Sequence, residues 1–382
     1  MDLLNTNIKS HKRSEDKVRG KHIIIAGGGT GGHIFPAIAI ANALKQKNSA
    51  LEILFIGAEG KMEMEKVPQA GYTIKGLSMA GLNRQSILKN IFLPYKIAKS
   101  FLQVRNIFKV FKPDAVIGVG GYSSYPVLRF AQIKGVYSFI HESNSFAGKS
   151  NILLGKKATK VFVASDGMEK FFPKSKLMIT GNPIRKTIAD SIVSRTEGLN
   201  FFGLNESKVT ILVVGGSLGA GSINDAIGRS LDRFQKNDLQ LIWQTGKTKA
   251  TEYKALAFGN NHIWTNEFIK EIEMGYAAAD IVVSRSGAMA VSELSATGKA
   301  TIFVPYPLAA EDHQTSNAMR LVNKQAALIV KDNEANEKLV NTIIALSKNI
   351  ELQMSLKKNI KTLSIVDADE VIANEILNTL ND

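Results

Sequence analysis

The sequence predicts an α/β protein of two tandem domains, each built on a parallel sheet covered by helices on both faces. Three observations carry this. Short β-branched runs alternate with helix-length segments along the chain. Several of those runs end in glycine-rich or polar stretches that lead into a helix. At 382 residues the chain also exceeds the usual size of a single core.

The first run, Ile23-Ile24-Ile25-Ala26, opens onto Gly27-Gly28-Gly29-Thr30-Gly31-Gly32-His33, and Pro36 to Lys47 follows as a helix. Further strands are expected at Glu52 to Gly57, Ala115 to Val119, Val136 to Ile140, Lys160 to Ala164 and Leu177 to Thr180. The turn residues Gly181-Asn182-Pro183-Ile184-Arg185 end this set and read as a hinge. Residues 186–207 are polar and weakly patterned. A second set of strands is expected at Val209 to Val214, Leu239 to Trp243, Ile281 to Ser284 and Ala300 to Val304. The stretch from about Ser364 to Leu380 reads as a final helix, and Asp367 and Asp369 suit its positive end. The expected boundaries are a flexible basic leader over 1–20, an N-terminal domain over 21–184 and a C-terminal domain over 185–363. Ligands of parallel sheets lie outside the carboxyl ends of the strands, so the two domains are expected to face each other across a cleft.

Composition narrows the function. Hydrophobic residues make up 45% of the chain, which describes a soluble globular protein. There is no cysteine, which excludes disulfides and thiolate metal sites. The lysine-rich start has no apolar segment and is not a secretory signal, and no apolar run is long enough to span a bilayer. The net charge is +14 and is unevenly spread: from Lys66 to Pro113 there are nine basic residues and no acidic one. Ile87, Leu88, Lys89, Ile91, Phe92 and Lys96 lie in that span and mix apolar with basic character, which suits an anionic membrane surface. An ordinary amphipathic helix with solvated lysines would look the same. Nucleic acid is disfavoured, because no helix-turn-helix or zinc-finger pattern accompanies the charge.

The strand ends hold the candidate chemistry. Glycine loops and helix N-termini suit a diphosphate, or two phosphorylated ligands. Gly27, Gly29 and Gly32 also match the dinucleotide spacing, and Glu59 would then be the ribose acid of a nicotinamide enzyme. A non-catalytic lipid- or nucleotide-binding protein is a third class. His33 has an ordinary pKa near 6.5, which suits a general base at neutral pH. A hydroxyl deprotonated by His33 could displace a phosphate leaving group held by amides and Arg185, with Glu293 on the ribose diol. This scheme, group transfer from an activated nucleotide, calls for neither a metal nor a cofactor.

Seven motifs then occur in an order that resembles one family. They are Gly28-Gly29-Thr30-Gly31-Gly32-His33, Gly120-Gly121-Tyr122, His141-Glu142-Ser143-Asn144, Gly181-Asn182-Pro183-Ile184-Arg185, Gly215-Gly216-Ser217-Leu218-Gly219-Ala220, Arg285-Ser286-Gly287-Ala288 with Ser292-Glu293, and Asp312-His313-Gln314. Together they resemble the MurG family of bacterial transferases, which add N-acetylglucosamine to lipid I to make lipid II for peptidoglycan. The resemblance runs over about residues 21 to 380. Ser143 stands where the family pattern has Gln, and His313-Gln314-Thr315 where some members have Arg-Gln-Gln.

The resemblance implies a GT-B fold with two Rossmann-like domains and a cleft, and a final helix, 364–382, that rejoins the N-terminal domain. It implies an inverting reaction in which the 4-hydroxyl of the muramyl unit of lipid I attacks UDP-N-acetylglucosamine. Contacts to the sugar nucleotide are implied for Thr30, Gly31, Gly32, Asn144, Arg185, Ser217, Ile269, Gln314 and the run Ala288, Met289, Ala290, Val291, Ser292 and Glu293. His33 is implied as the base, and Gly120, Gly121, Tyr122 and Glu142 as the acceptor side. The lipid acceptor strengthens the membrane reading of Ile87 to Lys96 and places the protein peripherally on the cytoplasmic face of the inner membrane.

Overall fold

The computed structural model describes residues 20–79 and 93–381. The leader up to residue 19 and the patch positions Ile87, Leu88, Lys89, Ile91 and Phe92 lie outside the described residues. The chain divides into two compact units. The first holds the described residues to Ser143, then Ala147–Pro183 and the segment from Asp367; the second holds Asn144–Phe146 and Ile184–Val366.

In the first unit the strands are β1 (His22–Ala26), β2 (Glu52–Ala58), β3 (Thr73–Leu77), β4 (Ala115–Gly118), β5 (Tyr137–Glu142), β6 (Lys160–Val163) and β7 (Leu177–Ile179). They lie in the order β3-β2-β1-β4-β5-β6-β7 and pair parallel. The second unit has β8 (Val209–Val214), β9 (Leu239–Gln244), β10 (Ile263–Asn266), β11 (Ile281–Ser284), β12 (Ala300–Phe303) and β13 (Leu328–Ile329). Their order, β10-β9-β8-β11-β12-β13, repeats the same winding. In both sheets the strand order reverses next to the first strand, and ligands of such sheets bind at that switch point. The glycine loops after β1 and β8 sit there.

Burial on both faces explains the unbroken apolar runs. Ile23 and Ile25 of β1 enter one core and Ile24 and Ala26 the other, because successive side chains point to opposite faces. Each buried isoleucine contributes roughly 1.5–3 kcal/mol. β8 divides in the same way, with Ile211 and Val213 on one side and Leu212 on the other. The last helix, Ala368–Asn381, packs Ile372, Ala373, Ile376 and Leu380 against Ile40 and Leu44 of the helix Gly31–Lys47. Ion pairs Lys47–Glu370 and Lys160–Glu375 flank that contact.

Four expectations need correction. β3, β10 and β13 read as nothing in the sequence, and all three are edge strands. An edge strand is only partly covered, so its apolar signal is weak: Thr73 to Leu77 alternates exposed and half-buried positions until its last residue. The weakly patterned stretch 186–207 contains the helices Lys186–Ala189 and Arg195–Phe202. The second begins with a capping box, in which the Ser194 side chain accepts from Glu197 N–H and Glu197 reaches back. The first helix starts at Gly31 rather than Pro36, which places His33 in its first turn. The final helix begins at Ala368, later than the sequence pattern placed it. Among the described residues no helix is long and apolar enough to cross a membrane.

Candidate active site

In the first unit the loop after β1 is braced internally. Gly27 N–H donates to Ile56 O, Gly28 N–H to Gly120 O, and Gly29 N–H to a carboxylate oxygen of Glu63. These amides are therefore committed, and the anion-binding capacity lies further on. Thr30 caps the helix Gly31–Lys47 in extended conformation, with no acidic residue in the first turn. The amides of Thr30, Gly31 and Gly32 thus present the positive helix end.

His33 stands at the same place. Its Nδ1 lies 3.0 Å from Gly28 O and 3.4 Å from Thr30 Oγ1. A carbonyl oxygen only accepts, so Nδ1 carries the proton and Nε2 holds the lone pair. The second glycine loop closes on the ring: a Cβ at Gly120, where φ is +99°, would come within 2.7 Å of His33 Nε2. Gly121 approaches Gly28 O in the same way. The loops Gly27–His33 and Gly120–Tyr122 are thus packed backbone to backbone. Burial raises the Tyr122 pKa above its ordinary value, and the Glu63 charge adds to it.

Two residues of β5 lie close by. His141 is fully buried, with Nε2 facing Gly181 O at 3.3 Å and Nδ1 without a hydrogen-bond partner. Burial lowers its pKa to about 4, with a further push from His33, so it is neutral at pH 7. Glu142 is 4% exposed and spends its Oε2 on Gly148 N–H and Asn151 Nδ2. That carboxylate orders the following loop and helix.

The second unit gathers most of the other candidates. Arg185 donates through Nε and an NH2 group to the two oxygens of Glu293, each at 3.0 Å. Tyr276 Oη donates to Glu293 at 3.2 Å. Burial pushes the Glu293 carboxyl up, while Arg185 and the Tyr276 hydroxyl pull it back. Tyr276 is itself pushed well above its usual value, first by burial and then by the Glu293 charge. The Arg185 guanidinium therefore sits on the carboxylate expected to hold a ribose.

Glu293 lies on the helix Ala288–Thr297, which follows β11 and has no acidic residue in its first turn. The helix thus places the amides of Ala288, Met289 and Ala290 at the switch point, and Val291 N–H bonds Gly287 O. Ser286 Oγ donates to Gln314 O, and Gln314 Oε1 accepts from Tyr306 N–H. Asn317 bridges Ser286 O and Asn144 Oδ1 and also accepts from Ser145 N–H. Asn144, Ser145, Ser286 and Gln314 are thus joined in one network through Asn317.

Ser217 is exposed on the loop after β8, with its carbonyl accepting from Lys247 N–H. That loop needs glycine across from it: a Cβ at Gly246 would sit 2.0 Å from Gly219 N. Gln244, at the end of β9, donates to Gly216 O and accepts from Ile269 N–H. It connects the Ser217 loop to Ile269. Sequence reasoning missed Gln244, Gly246, Tyr276, Asn317 and Glu63. The strand-end rule could have found the first two, which lie at and just past the carboxyl end of β9. Glu59, the ribose acid of the nicotinamide reading, instead accepts from Ser78 Oγ.

Comparison with known proteins agrees with this arrangement. Residues 23–163 match the glycosyltransferase family 28 N-terminal domain and residues 210–372 the glycosyltransferase family 28 C-terminal domain. A Phocaeicola vulgatus protein is 49% identical over 93% of this chain and 95% of its own length. A Parabacteroides distasonis protein is 46% identical over 95% of this chain and 100% of its own. Both are named UDP-N-acetylglucosamine--N-acetylmuramyl-(pentapeptide) pyrophosphoryl-undecaprenol N-acetylglucosamine transferase. The crystal structure of Acinetobacter baumannii MurG superposes with a TM-score of 0.78 at 28% identity, covering 94% of this chain and 99% of that one. Two Rossmann-like sheets of the same winding, with glycine loops at both switch points and both domain signatures in order, make this chain a member of glycosyltransferase family 28, with the GT-B fold.

Proposed function

We propose that this protein transfers N-acetylglucosamine from UDP-N-acetylglucosamine to the 4-hydroxyl of the muramyl unit of lipid I, giving lipid II and UDP. The observation that carries the reading is His33, in the first turn of the helix at the switch point, with Nδ1 3.0 Å from the Gly28 carbonyl oxygen. Relatives that share nearly the whole chain carry that transferase name. The acceptor oxygen bonds to the anomeric carbon, and the bond from that carbon to the β-phosphate oxygen breaks with inversion. UDP leaves with the electron pair, and the acceptor proton passes to His33 Nε2.

The other candidates take supporting roles in this reading. Glu293 accepts from the ribose hydroxyls once Arg185 turns from it toward the departing diphosphate. Ser217 and the amides of Ala288 to Ala290 hold phosphate oxygens, and Ile269, Asn144 and Gln314 frame the uridine and sugar. Thr30, Gly31, Gly32, Gly120, Gly121 and Tyr122 face the donor sugar and the acceptor diphosphate.

The same proposal puts the protein on the cytoplasmic face of the inner membrane. The helix Leu93–Phe111 exposes Tyr95, Ile97, Leu102 and Val110 beside Lys96, Lys99, Arg105 and Lys109. A cavity of about 500 Å³ along it is lined by Arg105, Phe108, Lys109, Lys112, Phe130 and Lys134. Exposed apolar and cationic groups on one helix suit anionic lipid. The function is tested by incubating the protein with radiolabelled UDP-N-acetylglucosamine and a short-chain lipid I analogue. The expected product is the acceptor carrying one β-linked N-acetylglucosamine; label that stays on the nucleotide or goes to free sugar overturns the assignment.

A further inference from the structure

Behind the first glycine loop lies a buried carboxylate that the transfer scheme does not use. Glu63, in the helix Glu63–Gln69 after β2, is 1% exposed. Its Oε2 accepts from Gly29 N–H at 2.8 Å and its Oε1 from Ala58 N–H at 2.9 Å. His33 Nδ1 donates to Gly28 O at 3.0 Å. The Gly28 carbonyl and the Gly29 N–H are the two ends of one peptide unit.

We propose that Glu63 is a positioning residue for His33, acting through the Gly28–Gly29 peptide, so that carboxylate, peptide and imidazole stand in series. The inference rests on His33 being the base. A carboxylate that accepts from a peptide N–H draws electron density toward that peptide's carbonyl oxygen, which becomes a better acceptor. The bond from Nδ1–H strengthens as the imidazole takes the acceptor's proton and becomes imidazolium. The carboxylate of a catalytic triad orients and stabilises its histidine in the same way, but by direct contact. Here one peptide is inserted between them.

The surrounding glycines make room for the series. A Cβ at Gly28 would lie 2.3 Å from the Glu63 carboxyl carbon, and one at Gly57 2.4 Å from Glu63 Cγ. On the other side a Cβ at Gly120 would strike the His33 ring. Among the described residues, Glu63 from its helix bonds the loop that carries His33, His141 of β5 feels the His33 charge, and Tyr122 of the second glycine loop feels the Glu63 charge. Burial keeps His141 neutral at pH 7. The Glu63 charge reaches Tyr122 as well, which places a negative centre under both loops.

The test is Glu63→Gln, which keeps the shape but lets the side chain accept from only one of the two amides and face the other with a donor. We expect kcat to fall about 10- to 100-fold, with KM for UDP-N-acetylglucosamine within about twofold of wild type. The acid limb of the kcat/KM profile should move to lower pH by about 1 pH unit, because the base loses a charge that favours its protonated form. On the wild-type protein, ¹⁵N spectra of histidine should show the Nδ1–H tautomer for neutral His33. An unmoved acid limb, whether or not kcat falls, overturns the proposal, and so does an Nε2–H tautomer. His33→Ala in the same assay separates the two claims. Full activity there removes the base reading and the series with it, whereas an inactive His33→Ala beside an unmoved Glu63→Gln limb removes the series alone.

Discussion

Arg185 and Glu293 occupy each other's charge in this structure, and in the proposed reaction the substrate separates them. Glu293→Gln keeps the volume but loses the anionic acceptor for a ribose diol and for Arg185. KM for UDP-N-acetylglucosamine should rise roughly 10- to 100-fold, since hydrogen bonds to charged groups are worth about 1.5–3 kcal/mol; an unchanged KM would put the ribose elsewhere. His141 makes a separate prediction about acid stability. Its pKa is lowered to about 4 by burial, against an ordinary 6.5, so the unfolded chain binds more protons between those values. The stability this contributes is present above pH 6.5 and is lost as pH falls toward 4, by about 1.4 kcal/mol per pH unit. Denaturant unfolding of wild type and His141→Phe should show the stability difference between them change with pH across that range and level off above pH 6.5. At this scale the sequence was readable where a residue stood at a strand end, as His33 does. Glu63 was not readable, because Glu-Met-Glu-Lys looks like a solvated helix face. Its function depends on the fold bringing it 34 positions back to Gly29.

The elements that place the site are two strand-loop-helix units per sheet, closed on each other at glycine. Gly120→Ala would put a methyl on a backbone of φ +99° and into the His33 ring. It should cost about 1–3 kcal/mol of stability in thermal or denaturant unfolding, and activity beyond what that loss explains. A second element-level prediction concerns the end of the helix Ile272–Ala278. Lys299 donates there to Ala277 O and Ala279 O. Burial, together with nearby Lys357, lowers its pKa to about 8. Between pH 8 and its ordinary value near 10.4 the unfolded chain binds more protons, so stability rises with pH in that window. Lys299→Met should lack this rise, and unfolding curves of the pair should converge or cross as pH increases from 8 to 10.5. The central strands of both sheets were legible because both faces are buried and the runs are continuously apolar. The edge strands β3, β10 and β13 were not, because half-covered backbone imposes little pattern on side chains.

At the scale of the whole molecule, the chain repeats one winding twice and carries a strong positive charge of +14. The duplication was visible as two sets of strands, but the strand order, which creates the switch points, is a property of pairing and was not visible. The charge bears on where the protein works. Replacing Lys96, Lys99, Arg105 and Lys109 together by alanine removes about 1 kcal/mol of anionic-membrane attraction each. Sedimentation with anionic vesicles at low salt should weaken by a hundredfold or more, and binding of UDP-N-acetylglucosamine should not change. The measurement that bears most directly on the central claim is UDP release from UDP-N-acetylglucosamine, with and without a short-chain lipid I analogue, by wild type and His33→Ala. The account predicts release that depends on the acceptor and is slower by about 100-fold or more in His33→Ala. Wild type that binds the sugar nucleotide but releases no UDP in the presence of the acceptor would contradict it.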